Sequence, residues 1–327
     1  MSTKIVSLFS GAGGLDLGFH GAGFSTIWAN EYDKTIWDTF RHNFPDTVLE
    51  TRSITEVIDA EVPDCDGIIG GPPCQSWSEA GAGRGIEDAR GQLFNDYIRI
   101  LKAKQPKFFL VENVSGILAP RHSESFRGFL KDFEDAGYSV SWKMVNANDY
   151  GVPEDRLRVI IIGFRNDLNK TFVFPDPQKD RPVLRDAIWD LPEAKPAVGK
   201  NKANDQLSVP NHEYMTGGFS PIFMSRNRVR SWDEPSFTIQ AGGRQAPLHP
   251  QAPKMLKVEK NKQVFVDDQK HLYRRLSVRE CARIQTFPDD YMFLYRDVAV
   301  GYKMIGNAVP VKLAEALAKE IKKQLGS

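Results

Sequence analysis

The sequence predicts an α/β fold: a doubly wound, mostly parallel sheet followed by a second, smaller, irregular domain. Three observations lead there. Strand-like and helical segments alternate from Lys4 to Gly163, a glycine-rich turn directly follows the first strand, and the texture changes near Thr171. Such alternation places crossover helices on both faces of a sheet. Glycines after the first strand form the turn where these sheets bring backbone close to a ligand.

Taken in order, Lys4 to Phe9 reads as a buried strand, and the turn after it opens a helical run ending near Gly21-Ala22-Gly23. Phe24 to Ala29, rich in aromatic and β-branched residues, is the second strand. Asp66 to Gly70 is strand-like. Leu93 to Lys104 is helical, with Phe94, Tyr97, Ile98 and Leu101 at helical spacing. Lys107 to Val111 is a strand, Ser125 to Ala136 a helix, and Ser139 to Val145 and Arg158 to Gly163 are strands. From Thr171 to about Gln269, prolines and loops rich in Asn, Gly and Gln replace helical periods. Helical pattern returns at Leu276 to Gln285 and Val311 to Leu325. The expected domains are 1–170, 171–285 and a C-terminal segment, 286–327.

A chain of 327 residues, 41% hydrophobic and 26% charged, fits a soluble globular protein of one large or two ordinary domains. No run of ~18 apolar residues suggests a membrane span, and Met1 to Val6 lacks the layout of a signal peptide. The cysteines, Cys65, Cys74 and Cys281, are widely spaced and odd in number, which argues against a disulfide framework and a metal site. A cytoplasmic location follows as the default. A net charge of +1 gives no nucleic-acid signal, so any such affinity must come from local clusters. Met224 to Arg244 holds Arg226, Arg228, Arg230 and Arg244 against Asp233 and Glu234. Lys270 to Arg283 holds five basic residues against Glu280. A solvated surface accounts for either run equally well.

The first turn reads Phe9-Ser10-Gly11-Ala12-Gly13-Gly14, and Glu31 lies 20 residues after Gly11, where an acidic side chain can bind ribose hydroxyls. Asp16 stands where a dinucleotide fingerprint has its third glycine, and would repel a pyrophosphate. A nucleoside carrying a cation is therefore favoured over a dinucleotide, and a ligand-free helix start stays open.

Cys74 follows a strand end in Gly71-Pro72-Pro73-Cys74-Gln75, a turn whose prolines hold the thiol at the carboxyl edge of the sheet. Cys65 and Cys281 better fit packed core cysteines. Glu112-Asn113-Val114 ends another strand on the same edge. Arg156 and Arg158 share one face of an extended segment. A thiol, a carboxylic acid and a guanidinium around one pocket suit an electron-poor ring. The thiolate adds, the carboxyl manages a proton, and the guanidinium holds a ring oxygen. A surface carboxylate and an arginine salt-bridge lattice are the competing readings of Glu112 and the arginines.

Together with Asn30-Glu31, Arg279 to Gln285 and Gly306-Asn307-Ala308-Val309-Pro310, these motifs resemble the bacterial cytosine-5 DNA methyltransferases of restriction–modification systems, over nearly the whole length. The resemblance implies an S-adenosylmethionine-dependent methyltransferase fold whose large domain is completed by the C-terminal helix, with a smaller DNA-recognition domain. It implies Cys74 as nucleophile, Glu112 and Arg158 on the cytosine, and Arg156 beside them. It implies Phe9, Gly11, Ala12, Gly13, Gly14, Glu31, Tyr32, Ser53, Ile54, Pro73, Leu93, Asn307 and Ala308 around S-adenosyl-L-methionine, with S-adenosyl-L-homocysteine as product and no metal. Gln75, Ser78 and Arg90 fall on the DNA-closing loop. The segments Met224 to Trp232, Gly243-Arg244-Gln245 and Leu248 to Pro253 are similar to the enzymes that modify GGCC, so Arg226, Arg228, Arg230 and Arg244 are the candidate DNA contacts, arginine being the side chain that reads guanine.

The implied partner is double-stranded DNA, acted on by a monomer, with a cognate endonuclease sharing the site but not bound. Two departures stand out. Ser53 replaces an acidic residue, and Glu154 replaces a glutamine. A tRNA cytosine-5 methyltransferase, a non-catalytic DNA-binding protein and, more distantly, a nicotinamide-dependent oxidoreductase are the alternatives.

Overall fold

The computed structural model describes residues 3–73 and 93–326. By internal packing the chain falls into two units. The first comprises 1–146, 157–176 and 313–327, the second 147–156 and 177–312.

The first unit holds β1 (Thr3–Leu8), α1 (Gly14–Gly21), β2 (Phe24–Asn30), α2 (Trp37–Asn43), β3 (Val48–Glu50), β4 (Gly67–Gly70), α3 (Leu93–Lys104), β5 (Phe108–Val114), α4 (Ser123–Asp135), β6 (Tyr138–Asn146) and β7 (Leu157–Arg165). The seven strands form one sheet in the order β3-β2-β1-β4-β5-β7-β6. Every pairing from β3 to β5 is parallel; β7 runs antiparallel to both neighbours. The order reverses between β1 and β4, and a crevice at such a switch point is where doubly wound sheets bind ligands.

Helices cover both faces because the central strands are apolar throughout; Ile68, Ile69, Leu110, Val111, Ile160 and Ile161 are completely buried. One face packs Phe94, Phe129 and Phe133 against Phe109. The other packs Phe19 and Phe24 against Phe108. A side chain at Gly67 would collide with the Phe108 ring, so that strand position stays bare. Tyr97 of α3 directs its hydroxyl to the carbonyls of Ile68 (2.9 Å) and Leu110 (3.0 Å), fastening helix to sheet.

The second unit holds α5 (Leu184–Ile188), β8 (Lys195–Pro196), β9 (Glu213–Tyr214), β10 (Leu256–Glu259), β11 (Lys262–Val264), α6 (Val278–Ile284) and α7 (Val298–Asn307). Its strands make only two-stranded ribbons. A small core of Phe223, Val229, Leu248, Met255 and Tyr273 supports the loops. The last helix, α8 (Val311–Leu325), returns from Leu313 onward to the first unit, where Lys322 donates to the Ala22 carbonyl at 3.0 Å. No helix of the described residues is long and apolar enough to cross a membrane.

Most predicted elements of the first 165 residues recur within two residues of their expected ends. Two departures matter. The fifth strand runs on to Val114, so Glu112 lies inside the sheet and not after it. The short β3 and α2 had no expected counterpart.

Candidate active site

Register brings three chain segments to one sheet edge. Leu8 of β1 lies opposite Gly70 of β4, and Gly70 opposite Val111 of β5. All three strands run the same way, so Phe9, Gly71 and Glu112 leave or line the same carboxyl edge. Close approach there is enforced by glycine: a Cβ on Gly70 would lie 2.4 Å from the Leu8 carbonyl oxygen.

The loop after β1 is shaped by left-handed backbone at Phe9 (φ 56°), Gly11 (φ 56°) and Gly13 (φ 78°). Such geometry is strained at a non-glycine residue and is typical of ligand sites. Glu31 fixes it. One carboxylate oxygen accepts from the Gly11 N–H at 2.8 Å and the other from the Asp33 N–H at 2.7 Å. Tyr32 beside Glu31 is 71% exposed, and nothing stands within 4 Å of a Cβ built on Gly11. Asn30, buried at the end of β2, donates to the carbonyls of Glu50 and Arg52 and so shapes the turn before Ser53. The sequence marks Asn30 only as part of the Asn30-Glu31 motif and gives it no role of its own. The Ser53 hydroxyl pairs with that of Thr55 at 2.8 Å, while Ile54 and Ala12 point into the core. Leu93 packs on the same core as Phe9.

Asp16 corrects one expectation. Its carboxyl is completely buried, takes a hydrogen bond from the Thr26 hydroxyl at 3.0 Å, and is no charge facing the ligand. Desolvation pushes it up to about 6. An acid raised in the folded state binds its proton more tightly folded than unfolded. Stability therefore falls as pH rises from about 4 to about 6 and is level above, by about 3 kcal/mol in total. Asp16→Asn, which carries no charge to desolvate, is expected to flatten this slope in urea unfolding at pH 4, 6 and 8. A parallel slope in both proteins would contradict the assignment.

Glu112 and Arg158 are brought together. Glu112 sits opposite Ile160 and Val114 opposite Arg158, so the two are diagonal neighbours on one face of β5 and β7. Arg158 Nε lies 2.7 Å from Glu112 Oε1, and both side chains are 11% exposed. The other Glu112 oxygen faces Gly71, where an added Cβ would sit 3.2 Å away. Asn113 donates to the Pro72 carbonyl at 3.4 Å, tying the following strand to the turn that ends, among described residues, at Pro73. Cys74, Gln75, Ser78 and Arg90 lie outside the described residues. Of the other two cysteines, burial pushes Cys65 up to about 12 and raises Cys281 above its ordinary value, so neither is a ready thiolate. Gly71→Ala is expected to lower turnover by crowding Glu112 while the melting temperature barely moves; wild-type turnover would show that Glu112 tolerates displacement.

Arg156 corrects a second expectation. It does not share Arg158's surroundings. It belongs to the second unit, is 1% exposed, and donates to the carbonyls of Ile239 (3.0 Å), Gly306 (2.8 Å) and Ala308 (2.9 Å). β7 begins only at Leu157, so the two-residue period does not extend back to it. Glu154, also buried, accepts from the Ile239 N–H at 2.6 Å and lies 3.6 Å from Arg156. Asn307 ends α7 exposed, with Ala308 buried after it.

Within the basic run from Lys270, Arg274, Arg275 and Arg279 are buried and form no open cationic patch. Arg274 and Glu280 form a buried bidentate pair at 2.8 Å. Arg275 donates to the Gly217 and Gly218 carbonyls, and Arg279 to those of Pro210 and Tyr291. In the earlier run, Arg228 is buried on the Ile222 and Phe223 carbonyls, and burial lowers it to about 10. Arg230 pairs with Asp155 (3.0 Å) and Glu234 (3.3 Å). Arg226 and Arg244 are exposed and make no hydrogen bond or ion pair among the described residues.

A cavity of about 580 Å³ lined by Asp59, Ile98, Arg99, Lys102 and Asp132 shares none of these residues. No group of three or more metal-ligating side chains occurs among the described residues.

The profile of the C-5 cytosine-specific DNA methylase family matches residues 3–323. The chain is 59% identical to the Type II methyltransferase M.FnuDI of Fusobacterium nucleatum, over 98% of its own length and 95% of that protein. It is 59% identical to M.NgoPII of Neisseria gonorrhoeae, over 98% and 96%. Among solved structures, a DNA modification methyltransferase encoded within an E. coli prophage aligns over the whole of both chains with a TM-score of 0.75 at 24% identity, a likeness of fold.

Proposed function

The chain belongs to the C-5 cytosine-specific DNA methylase family and is a DNA (cytosine-5-)-methyltransferase, and from that premise we propose that it methylates a cytosine of GGCC in duplex DNA through a covalent Cys74 adduct on an extruded base. The observation that carries the chemistry is the Glu112–Arg158 pair, held side by side at the sheet edge that the Pro72-Pro73 turn leaves.

Ring nitrogen 3 and the carbonyl oxygen on carbon 2 of cytosine are adjacent on one edge. A carboxyl and a guanidinium held together address that edge as a unit. The Glu112 carboxyl holds a proton at nitrogen 3 as the ring gains electrons. The Arg158 guanidinium has further N–H donors for the carbonyl oxygen on carbon 2. The Cys74 thiolate adds to carbon 6 and makes carbon 5 nucleophilic. Once carbon 5 is methylated, its proton leaves to a base and the thiolate is expelled. In a duplex nitrogen 3 is paired to guanine and the ring face at carbons 5 and 6 is covered by stacked neighbours, which is why the base must leave it.

The positive-φ loop, the open space at Gly11 and the carboxylate of Glu31 that shapes the loop fit a nucleoside. Phe9, Gly11, Gly13, Glu31 and Tyr32 would hold S-adenosyl-L-methionine, which supplies an electrophilic methyl group when bound and leaves as S-adenosyl-L-homocysteine. GGCC rests on the resemblance of Met224 to Trp232 and Leu248 to Pro253, and is supported by the exposed Arg226 and Arg244.

The test is bisulfite mapping of DNA from cells expressing the chain. Modification confined to one cytosine of GGCC is expected. Modification at another sequence removes the GGCC assignment, and labelling of tRNA in preference to duplex DNA replaces the substrate.

A further inference from the structure

The β10–β11 ribbon is strongly basic in a chain of net charge +1: Lys254 to Lys262 carries four lysines against Glu259 alone. It turns at its tip through Asn261 in left-handed backbone, φ 61°, a conformation asparagine tolerates. Lys254 pairs with Glu234 and Lys262 with Glu259, each at 3.1 Å. Lys257 and Lys260 are exposed and make no ion pair or hydrogen bond among the described residues.

The ribbon is fastened at its base to the arginine segment. Asn227, between Arg226 and Arg228, accepts from the Met255 N–H at 2.9 Å and donates to the Val229 carbonyl at 2.7 Å. The exposed Arg226 and the ribbon's cations therefore share one support.

We propose that this ribbon is a second DNA contact, in which Lys257 and Lys260 neutralise backbone phosphates flanking the recognised bases. The proposal rests on duplex DNA being the substrate. Lysines on phosphates fix register and carry no sequence information. Each such contact releases condensed counterions, so affinity falls with salt at a slope of about 0.9 per phosphate. Lysines on an exposed ribbon also discourage edge-to-edge pairing with other chains, and that role alone would leave the salt slope untouched.

The experiment measures dissociation constants against salt for the unaltered chain, K257A/K260A and K257R/K260R, on duplexes with and without the target site, with thermal melting as a control of folding. The alanine pair is expected to weaken binding to every duplex alike and to make the log–log salt slope shallower by about 2, while the arginine pair restores it. An unchanged slope overturns the proposal, as does a loss that the arginine pair fails to restore. An unaltered chain that shows no salt-dependent duplex binding overturns the duplex reading as well.

Discussion

Glu112→Gln is expected to lower kcat by about 10² to 10⁴-fold, the range of a lost proton-managing group, with duplex affinity largely kept. Glutamine has the same shape and preserves the packing beside Gly71 and β7. It cannot hold a proton at ring nitrogen 3 through a carboxyl, and it removes the counter-charge 2.7 Å from Arg158. The loss belongs to the chemical step, so KM for DNA should change much less than kcat. Single-turnover methylation separates the two. A variant within about tenfold of wild type would show that Glu112 only orients Arg158.

Arg156→Met is expected to cost about 3–5 kcal/mol of stability, a fall in melting temperature on the order of 10 °C. Three buried carbonyls lose their donors, and the buried Glu154 carboxylate loses the guanidinium 3.6 Å away. Arg156→Lys should recover little, because one ammonium on a flexible stem cannot reproduce the planar fork. If Arg156 instead touched the cytosine, melting would be unchanged and only turnover would fall.

The elements of the sheet were legible because each is a local pattern. Strand runs, the Gly11 to Gly14 turn and the helix over Leu93 to Lys104 depend on residues close in sequence. The glycine loop, Glu31 and Glu112 were found as motifs for the same reason. The faces were less legible. Which side Glu112 presents is decided by its pairing with Ile160, 48 residues on. Arg156 and Arg158 looked equivalent, since nothing in the sequence says that β7 starts between them. Asp16 read as a ligand-facing charge because its partner, Thr26, becomes visible only when α1 packs on β2. Arg275 and Arg279 read as part of a patch, yet their acceptors at Gly217, Gly218 and Pro210 come from a distant loop. The lysines of β10 and β11 went unnoticed because Leu256 and Val258 interrupt the charge run.

The central claim, a thiol of this chain bonded to a cytosine, is tested most directly with a duplex carrying 5-fluorocytosine at the target position and S-adenosyl-L-methionine. Fluorine at carbon 5 leaves no proton for the base to remove, so the adduct cannot resolve. The account predicts a complex that survives denaturation, with the cross-link located by mass spectrometry at Cys74 and absent in Cys74→Ser. No stable complex under conditions where the unfluorinated duplex is methylated, or a cross-link at another residue, would contradict it.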